Sequence, residues 1–194
     1  PDIIGLQETK VNDPDFPLEI INEIGYHAEF WGQKGHYGVA ILSKNKPINT
    51  VKGFVNDTND DQKRFIQSSF KFSDGEIVIM TGYFPQGENI NHETKFPKKI
   101  KFYNDLEGHI KKIKKSSSNL IVMGDFNVSP EDIDIGIGEQ NAKRWLREGK
   151  TSFQPKEREM WNTIKSLGFV DSWREVDPSE SSISSWFDYR SRMF

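Results

Sequence analysis

Two strand-like runs, Arg64 to Phe72 and Glu76 to Phe84, are separated by Ser73-Asp74-Gly75, a hairpin signal. So short a turn joins antiparallel neighbours, whereas parallel ones need a crossover of about a dozen residues or more. A doubly wound parallel sheet is disfavoured on this ground. Tyr37 to Ser43, Asn119 to Met123 and the opening PDIIGLQ at Pro1 to Gln7 read as further strands. Within Lys95 to Lys115, Ile100, Tyr103, Leu106, Ile110 and Ile113 recur at steps of three and four, which predicts an amphipathic helix packed on a sheet. A shorter helix sets Leu18, Ile21 and Ile24 on one face and stops at Gly25. Another, Glu157 to Leu167, turns Trp161, Ile164 and Leu167 inward and stops at Gly168. Asn56 to Asp61 and Pro178 to Ser185 are polar loops, and no internal repeat is evident. Mixed strands, helices and hairpins predict a layered α/β fold with a largely antiparallel sheet core, in a single domain over residues 1–194.

Composition narrows the chemistry. A chain of 194 residues is long enough to bury a real core. Its charged fraction of 28% is that of a globular chain, not a disordered one. No apolar run approaches the length of a membrane helix, and no leader-like segment opens the chain. The absence of cysteine removes disulfides and thiolate metal sites. His27, His36, His92 and His109 show no paired ligand spacing, so a bound metal would be a hard cation held by oxygens. The net charge of −3 argues mildly against nucleic acid. Steering, however, needs a positive patch, not a positive total. Lys95, Lys98, Lys99 and Lys101 form one basic cluster, Arg144, Arg147 and Lys150 another; Lys111, Lys112, Lys114 and Lys115 read as a solvated face.

Three apolar runs end in polar groups: IIGLQ in Glu8, IVIMTG in Tyr83 and LIVMG in Asp125, Phe126 and Asn127. Sites are commonly built where rigid strands hand over to loops. If the three strands lie side by side in one orientation, two carboxylates, a phenol and an amide meet at one edge. Asp125 and Asn127 are two residues apart, which in extended chain puts both on one face. Read alone, Asp125 fits an Asx turn equally well, and Glu8 fits the first solvated residue after a buried strand. The Tyr83 hydroxyl is suited to a phosphate contact or to positioning a nucleophile; a packed turn anchored by Phe84 and Pro85 is the alternative. Trp186-Phe187-Asp188-Tyr189-Arg190 sets aromatics beside a cation, a pattern that stacks on bases or wedges into a duplex, or packs a core.

Taken in order, QET at Gln7 to Thr9, GQKGHYGVA at Gly32 to Ala40, GYFPQG at Gly82 to Gly87, GDFN at Gly124 to Asn127, DIGIG at Asp134 to Gly138, KRWLR at Lys143 to Arg147, F-x-P-x-E-R at Phe153 to Arg158 and SWFDYR at Ser185 to Arg190 resemble the exonuclease III family of bacteria. That family lies within the wider superfamily of exonucleases, endonucleases and phosphatases. QET and GD-x-N point only to the superfamily; GYFPQG, DIGIG and SWFDYR are far more specific. The resemblance implies an α/β fold, a four-layer α/β sandwich with two central mixed, largely antiparallel sheets, here incomplete at both termini. It implies dependence on Mg²⁺ or Mn²⁺, and duplex DNA with abasic sites or blocked 3′ ends as substrate. The reactions it implies are cleavage 5′ to an abasic site, 3′ to 5′ exonuclease action and removal of 3′ blocking groups.

By motif, Glu8 matches the metal ligand, Asp125 the proton-transfer aspartate that also bears on the metal, and Asn127 the amide that orients reacting groups near it. Tyr83 matches the active-site tyrosine, and Trp186 and Phe187 the aromatics near a flipped-out sugar. Gln86, His36 and Lys95 match DNA-backbone contacts. The physics is consistent: phosphodiester hydrolysis needs a cation to neutralise developing charge, fixed donors act by preorganised electrostatics, and an abasic sugar is cheap to extrude. An initial strand with a site asparagine and closing segments with an aspartate and an Asp-His pair have no counterpart here. Weak or absent activity of the chain by itself is the expectation. The alternatives are a same-fold phosphoesterase for another substrate and a DNA-binding fragment without catalysis. A cytoplasmic bacterial monomer completes the reading.

Overall fold

The structure, a computed structural model, describes residues 1–58, 62–73, 75–117 and 119–188. Asp74 of the expected turn, part of the 56–61 loop, and Tyr189 and Arg190 of SWFDYR lie outside the described residues. The chain divides into two compact units, Pro1–Phe84 with His109–Phe126, and Pro85–Gly108 with Asn127–Phe194.

The first unit holds both sheets. One contains β1 (Ile3–Gln7), β2 (His27–Trp31) and β3 (Val39–Ser43) in the order β1-β3-β2, all antiparallel. The other contains β4 (Asn49–Lys52), β5 (Phe65–Phe72), β6 (Gly75–Tyr83) and β7 (Leu120–Asp125) in that order. It is antiparallel up to β6, and β6 pairs with β7 in parallel. The expected hairpin strands are thus β5 and β6. Because side chains alternate along a strand, β3 sends Val39 and Ile41 one way and Ala40 and Leu42 the other. The first pair meets Ile66, Phe70 and Ile79 of the second sheet, forming the core between the sheets. The second pair meets Phe16 and Ile21 of α1 (Leu18–Glu23) and the segment before it. Buried on both faces, β3 reads as a solid apolar run without alternation.

On the far side of the second sheet lie the last turns of α2 (Lys95–Ile113). There the His109 ring stands edge-on to Phe54 and Phe65, and its Nε2 lies 2.7 Å from Gln67 Oε1. Helix, sheet, sheet and helix give the four layers expected. One of the two sheets proves purely antiparallel rather than mixed. Two expectations need correction. The α1 face is wrong: Ile21 is buried, but Leu18 is partly and Ile24 largely exposed. The helix ends at Glu23, and the chain turns through Gly25 at φ +86° before Ile24 can reach the core. Lys99 does not belong to a surface basic cluster, because its side chain is completely buried.

The second unit contains the start of α2, then α3 (Glu139–Arg147), α4 (Pro155–Ser166) and α5 (Ser172–Val176). Helix α4 begins with Pro155 and a capping box between Gln154 and Glu157. Glu157, Met160 and Ile164 make its buried stripe, while Trp161 and Leu167 are half-buried and Gly168 ends it at φ +96°.

Candidate active site

Strands β6 and β7 run in parallel with Gly82 opposite Gly124 and Tyr83 opposite Asp125. Gly124 has φ +131°, and a Cβ there would run into the Gly82 backbone. The two glycines therefore let the strand ends close up, and register then puts Tyr83 and Asp125 on one face. Strand β1 is not beside them in the same sheet, as a single three-strand edge would require. It lies in the facing sheet and approaches through Gly5, where a Cβ would sit 2.7 Å from Thr81 Oγ1 and 2.8 Å from Met123 Cε. That close approach delivers Glu8, the residue after β1, to Tyr83. The predicted convergence thus arises across the sandwich instead of along one edge.

The Tyr83 phenol and the Glu8 carboxylate lie close enough to shift each other's ionisation. Burial, followed by the hydrogen bond and charge of Glu8 and the charge of Asp125, pushes the Tyr83 phenol well up from its ordinary value. It is a donor at any physiological pH. Glu8 is held below the usual carboxylate range, first by a hydrogen bond from Lys10 and then by Tyr83, with the charges of Lys10 and His36 adding to this. Lys10 Nζ lies 2.8 Å from Glu8 Oε2. Glu8 adopts φ +53° and Lys10 φ +59°, left-handed backbone that non-glycine residues rarely take. Asp125 is solvent-exposed at the end of β7, and its carbonyl accepts the Phe84 N–H at 2.9 Å.

Arg64 escaped the sequence reading. Its guanidinium is sandwiched between the rings of Tyr37 and Tyr83, 4.7 and 4.6 Å from their centroids. Nη1 donates to the Tyr83 carbonyl at 2.9 Å and Nε to Gln62 Oε1 at 2.7 Å. Gln62 Nε2 donates in turn to the Tyr37 hydroxyl at 2.7 Å. Arg64 thus clamps the Tyr83 main chain and ring together. A cation beside a strand start carries no periodic signal, and its ring partners come from distant segments. Lys10, which directly follows the QET motif, was equally silent. His36 is exposed, its ring 6.5 Å from that of Tyr37.

The remaining candidates lie in the second unit. Asn127 has φ +50°, and its carbonyl accepts Lys99 Nζ at 2.6 Å. Gln86 is tied by both ends of its amide, Nε2 to Thr151 Oγ1 at 2.9 Å and Oε1 to the Glu88 N–H at 2.7 Å. Lys95 is paired with Glu88, and His92 Nδ1 caps the start of α2 by accepting the N–H groups of Thr94 and Lys95. Trp186 is half-buried, edge-on to Trp145 and Phe153, each centroid 5.4 Å away. Its main chain bonds with Asp134 and Gly136 of the DIGIG stretch. Phe187 is 43% exposed. Of the two aromatics, Trp186 is the more buried and Phe187 the more open to solvent.

Among the described residues no three acidic or imidazole side chains cluster as a ready-made metal cage. The donors present are nevertheless of the right kind for a hard cation. Glu8 is held ionised and is partly open to solvent, and Asp125 bears on the same tyrosine. A cation that keeps several waters needs only one or two such carboxylates.

The endonuclease/exonuclease/phosphatase family model matches residues 1–190. Over its whole length the chain is 50% identical to exodeoxyribonuclease III of Haemophilus influenzae, covering 73% of that protein. A 3′ phosphatase from Neisseria, solved with a product DNA hairpin, superposes with a TM-score of 0.86 at 30% identity, over the whole of this chain and 71% of that one. An AP endonuclease from Archaeoglobus fulgidus gives a TM-score of 0.80 at 33% identity, over 98% of this chain and 69% of that one. The chain belongs to the endonuclease/exonuclease/phosphatase family of metal-dependent phosphoester hydrolases, among its exodeoxyribonuclease III-type DNA-repair nucleases.

Proposed function

We propose that this chain carries the hydrolytic site of a DNA-repair phosphodiesterase that cuts duplex DNA 5′ to abasic sites, degrades it 3′ to 5′ and clears blocked 3′ ends. The observation that carries the reading is the meeting of Glu8, Tyr83 and Asp125 at the ends of β1, β6 and β7. Mg²⁺, or Mn²⁺ in its place, suits the oxygen donors Glu8, Asp125 and Asn127, and when bound it would offset charge building on the phosphate. Tyr83, kept protonated, donates a hydrogen bond to a phosphate oxygen or holds Glu8 in its ionised form. Asp125, exposed to solvent, takes a proton from the attacking water. The Asn127 amide fixes the orientation of the reacting groups. Trp186 and Phe187 receive an extruded abasic sugar, while Gln86, His36 and Lys95 contact the DNA backbone. For Lys95 that contact means exchanging Glu88 for a phosphate. The family match runs through both units, which supports treating residues 1–194 as one domain. No helix among the described residues is long and apolar enough to cross a membrane; the proposed setting is the bacterial cytoplasm and the proposed state a monomer.

The test uses a labelled duplex with one abasic site and the protein that carries this chain. Cleavage 5′ to the lesion is expected with Mg²⁺, and its loss with chelator and in Asp125→Ala. Cleavage that persists in chelator, or an Asp125→Ala variant of undiminished rate, would sink the assignment and favour a same-fold phosphoesterase working on another substrate.

A further inference from the structure

Lys99 and Glu157 have fully buried side chains and pair with each other inside the second unit. The three donors of the ammonium are all used: one on Glu157, one on the Asn127 carbonyl at 2.6 Å and one on the Gln86 carbonyl at 3.3 Å. The second carboxylate oxygen of Glu157 accepts the N–H groups of Ser152 at 2.7 Å and Gln154 at 2.9 Å. The pair therefore joins α2 and α4 to three stretches of main chain, two of which carry candidate site residues. Stability alone does not account for it. Desolvating two charges is costly, and apolar residues of similar volume often replace a buried pair without loss. What apolar residues could not do is hold a carbonyl.

The held carbonyl is that of Asn127, which sits at φ +50°, a left-handed conformation uncommon outside glycine although asparagine tolerates it better than most. Orienting that peptide fixes the Cα–Cβ direction and hence the reach of the amide. We infer that Lys99 is a positioning residue for the reaction, setting the Asn127 side chain through its main chain, with Glu157 fixing Lys99 in turn. The inference rests on the role given to Asn127 under the proposed function.

The test is a double-mutant cycle on abasic-site cleavage by the full protein. Lys99→Met combined with Glu157→Gln removes both charges at nearly constant volume. A displacement of roughly 1 Å at a reacting group costs on the order of 100-fold. The expected result is a kcat lowered by about 10- to 100-fold with KM and thermal melt little changed, and no further loss when the pair variant is placed in an Asn127→Ala background. A wild-type kcat, or a loss that multiplies onto that of Asn127→Ala, overturns the inference. Lys99→Arg, which keeps the charge opposite Glu157 but moves the donors, answers the same question if the neutral pair does not fold. Its loss must likewise vanish in Asn127→Ala; an undiminished kcat or a multiplying loss overturns the inference. If Asn127→Ala itself cleaves at the wild-type rate, the role of Asn127 fails and takes the role of Lys99 with it.

Discussion

Glu8 at φ +53° and Asn127 at φ +50° both hold left-handed backbone, and both come from motifs that the sequence marks as chemical. Such a conformation costs a non-glycine residue on the order of 1–3 kcal/mol, and it persists where function needs the side chain. Replacing Asn127 by glycine relieves that strain while adding glycine's chain entropy. The expected change in unfolding free energy is under about 1 kcal/mol, while abasic-site cleavage falls by roughly 100-fold; a denaturant titration and a rate assay check the two halves. For Glu8 the sign of the pH effect is definite. Its folded-state pKa is depressed, chiefly by Lys10, so its contribution to stability is complete above the usual carboxylate pKa and fades as pH falls through the lowered folded value. Lys10→Ala should move the Glu8 carboxyl titration upward, as followed by carbon NMR of the labelled side chain. An unmoved midpoint would assign the depression to Tyr83 instead. Glu8, Asp125 and Asn127 were legible because they end apolar runs or stand in named motifs. Lys10, Arg64 and Lys99 were not, since a lysine or arginine reads as surface until its partner, a carboxylate, ring or carbonyl from a distant segment, is seen.

At the level of elements, legibility followed apolar content. Strands β5 and β6 and helix α2 announce themselves by pattern, and their observed limits fall close to the expected ones. Strands β2 and β4 went unseen because HAEFW and NTVK mix polar residues into short runs, β4 at the edge of its sheet. Helix α3 is short and rich in charge, and its few apolar residues, though they fall on one side, are too sparse to announce it. The packing of β1 against β6 and β7 depends on Gly5. Gly5→Ala brings a methyl against Thr81 and Met123 and should destabilise the fold by about 1–3 kcal/mol. A wild-type urea midpoint would show that the sheets part more readily than their contacts imply. Trp186 and Phe187, neighbours in one motif, should separate cleanly. Trp186→Ala removes a ring packed on Trp145 and Phe153 and should cost roughly 2–4 kcal/mol. Phe187→Ala should cost less stability than Trp186→Ala and weaken binding to abasic duplex.

For the whole molecule, the hairpin argued for antiparallel sheets, but the number of layers came from resemblance to a family. Periodicity alone does not say that two sheets face each other, because the inner face of each reads like any other apolar face. The layered arrangement appears once Val39 and Ile41 are seen against Ile66, Phe70 and Ile79. The topology has a further consequence, in the order of events as the chain folds. β5 and β6 are neighbours in sequence as well as in the sheet and close at little entropic cost, as do β2 and β3 across a short loop. The parallel β6–β7 pairing spans the whole of α2 and is far less local. Tyr83 meets Asp125 only through that long-range contact. With its hairpins formed but β7 unpaired, the chain would hold Tyr83 without Asp125 beside it, so the carboxylate and the phenol share a face only when the parallel pairing is complete.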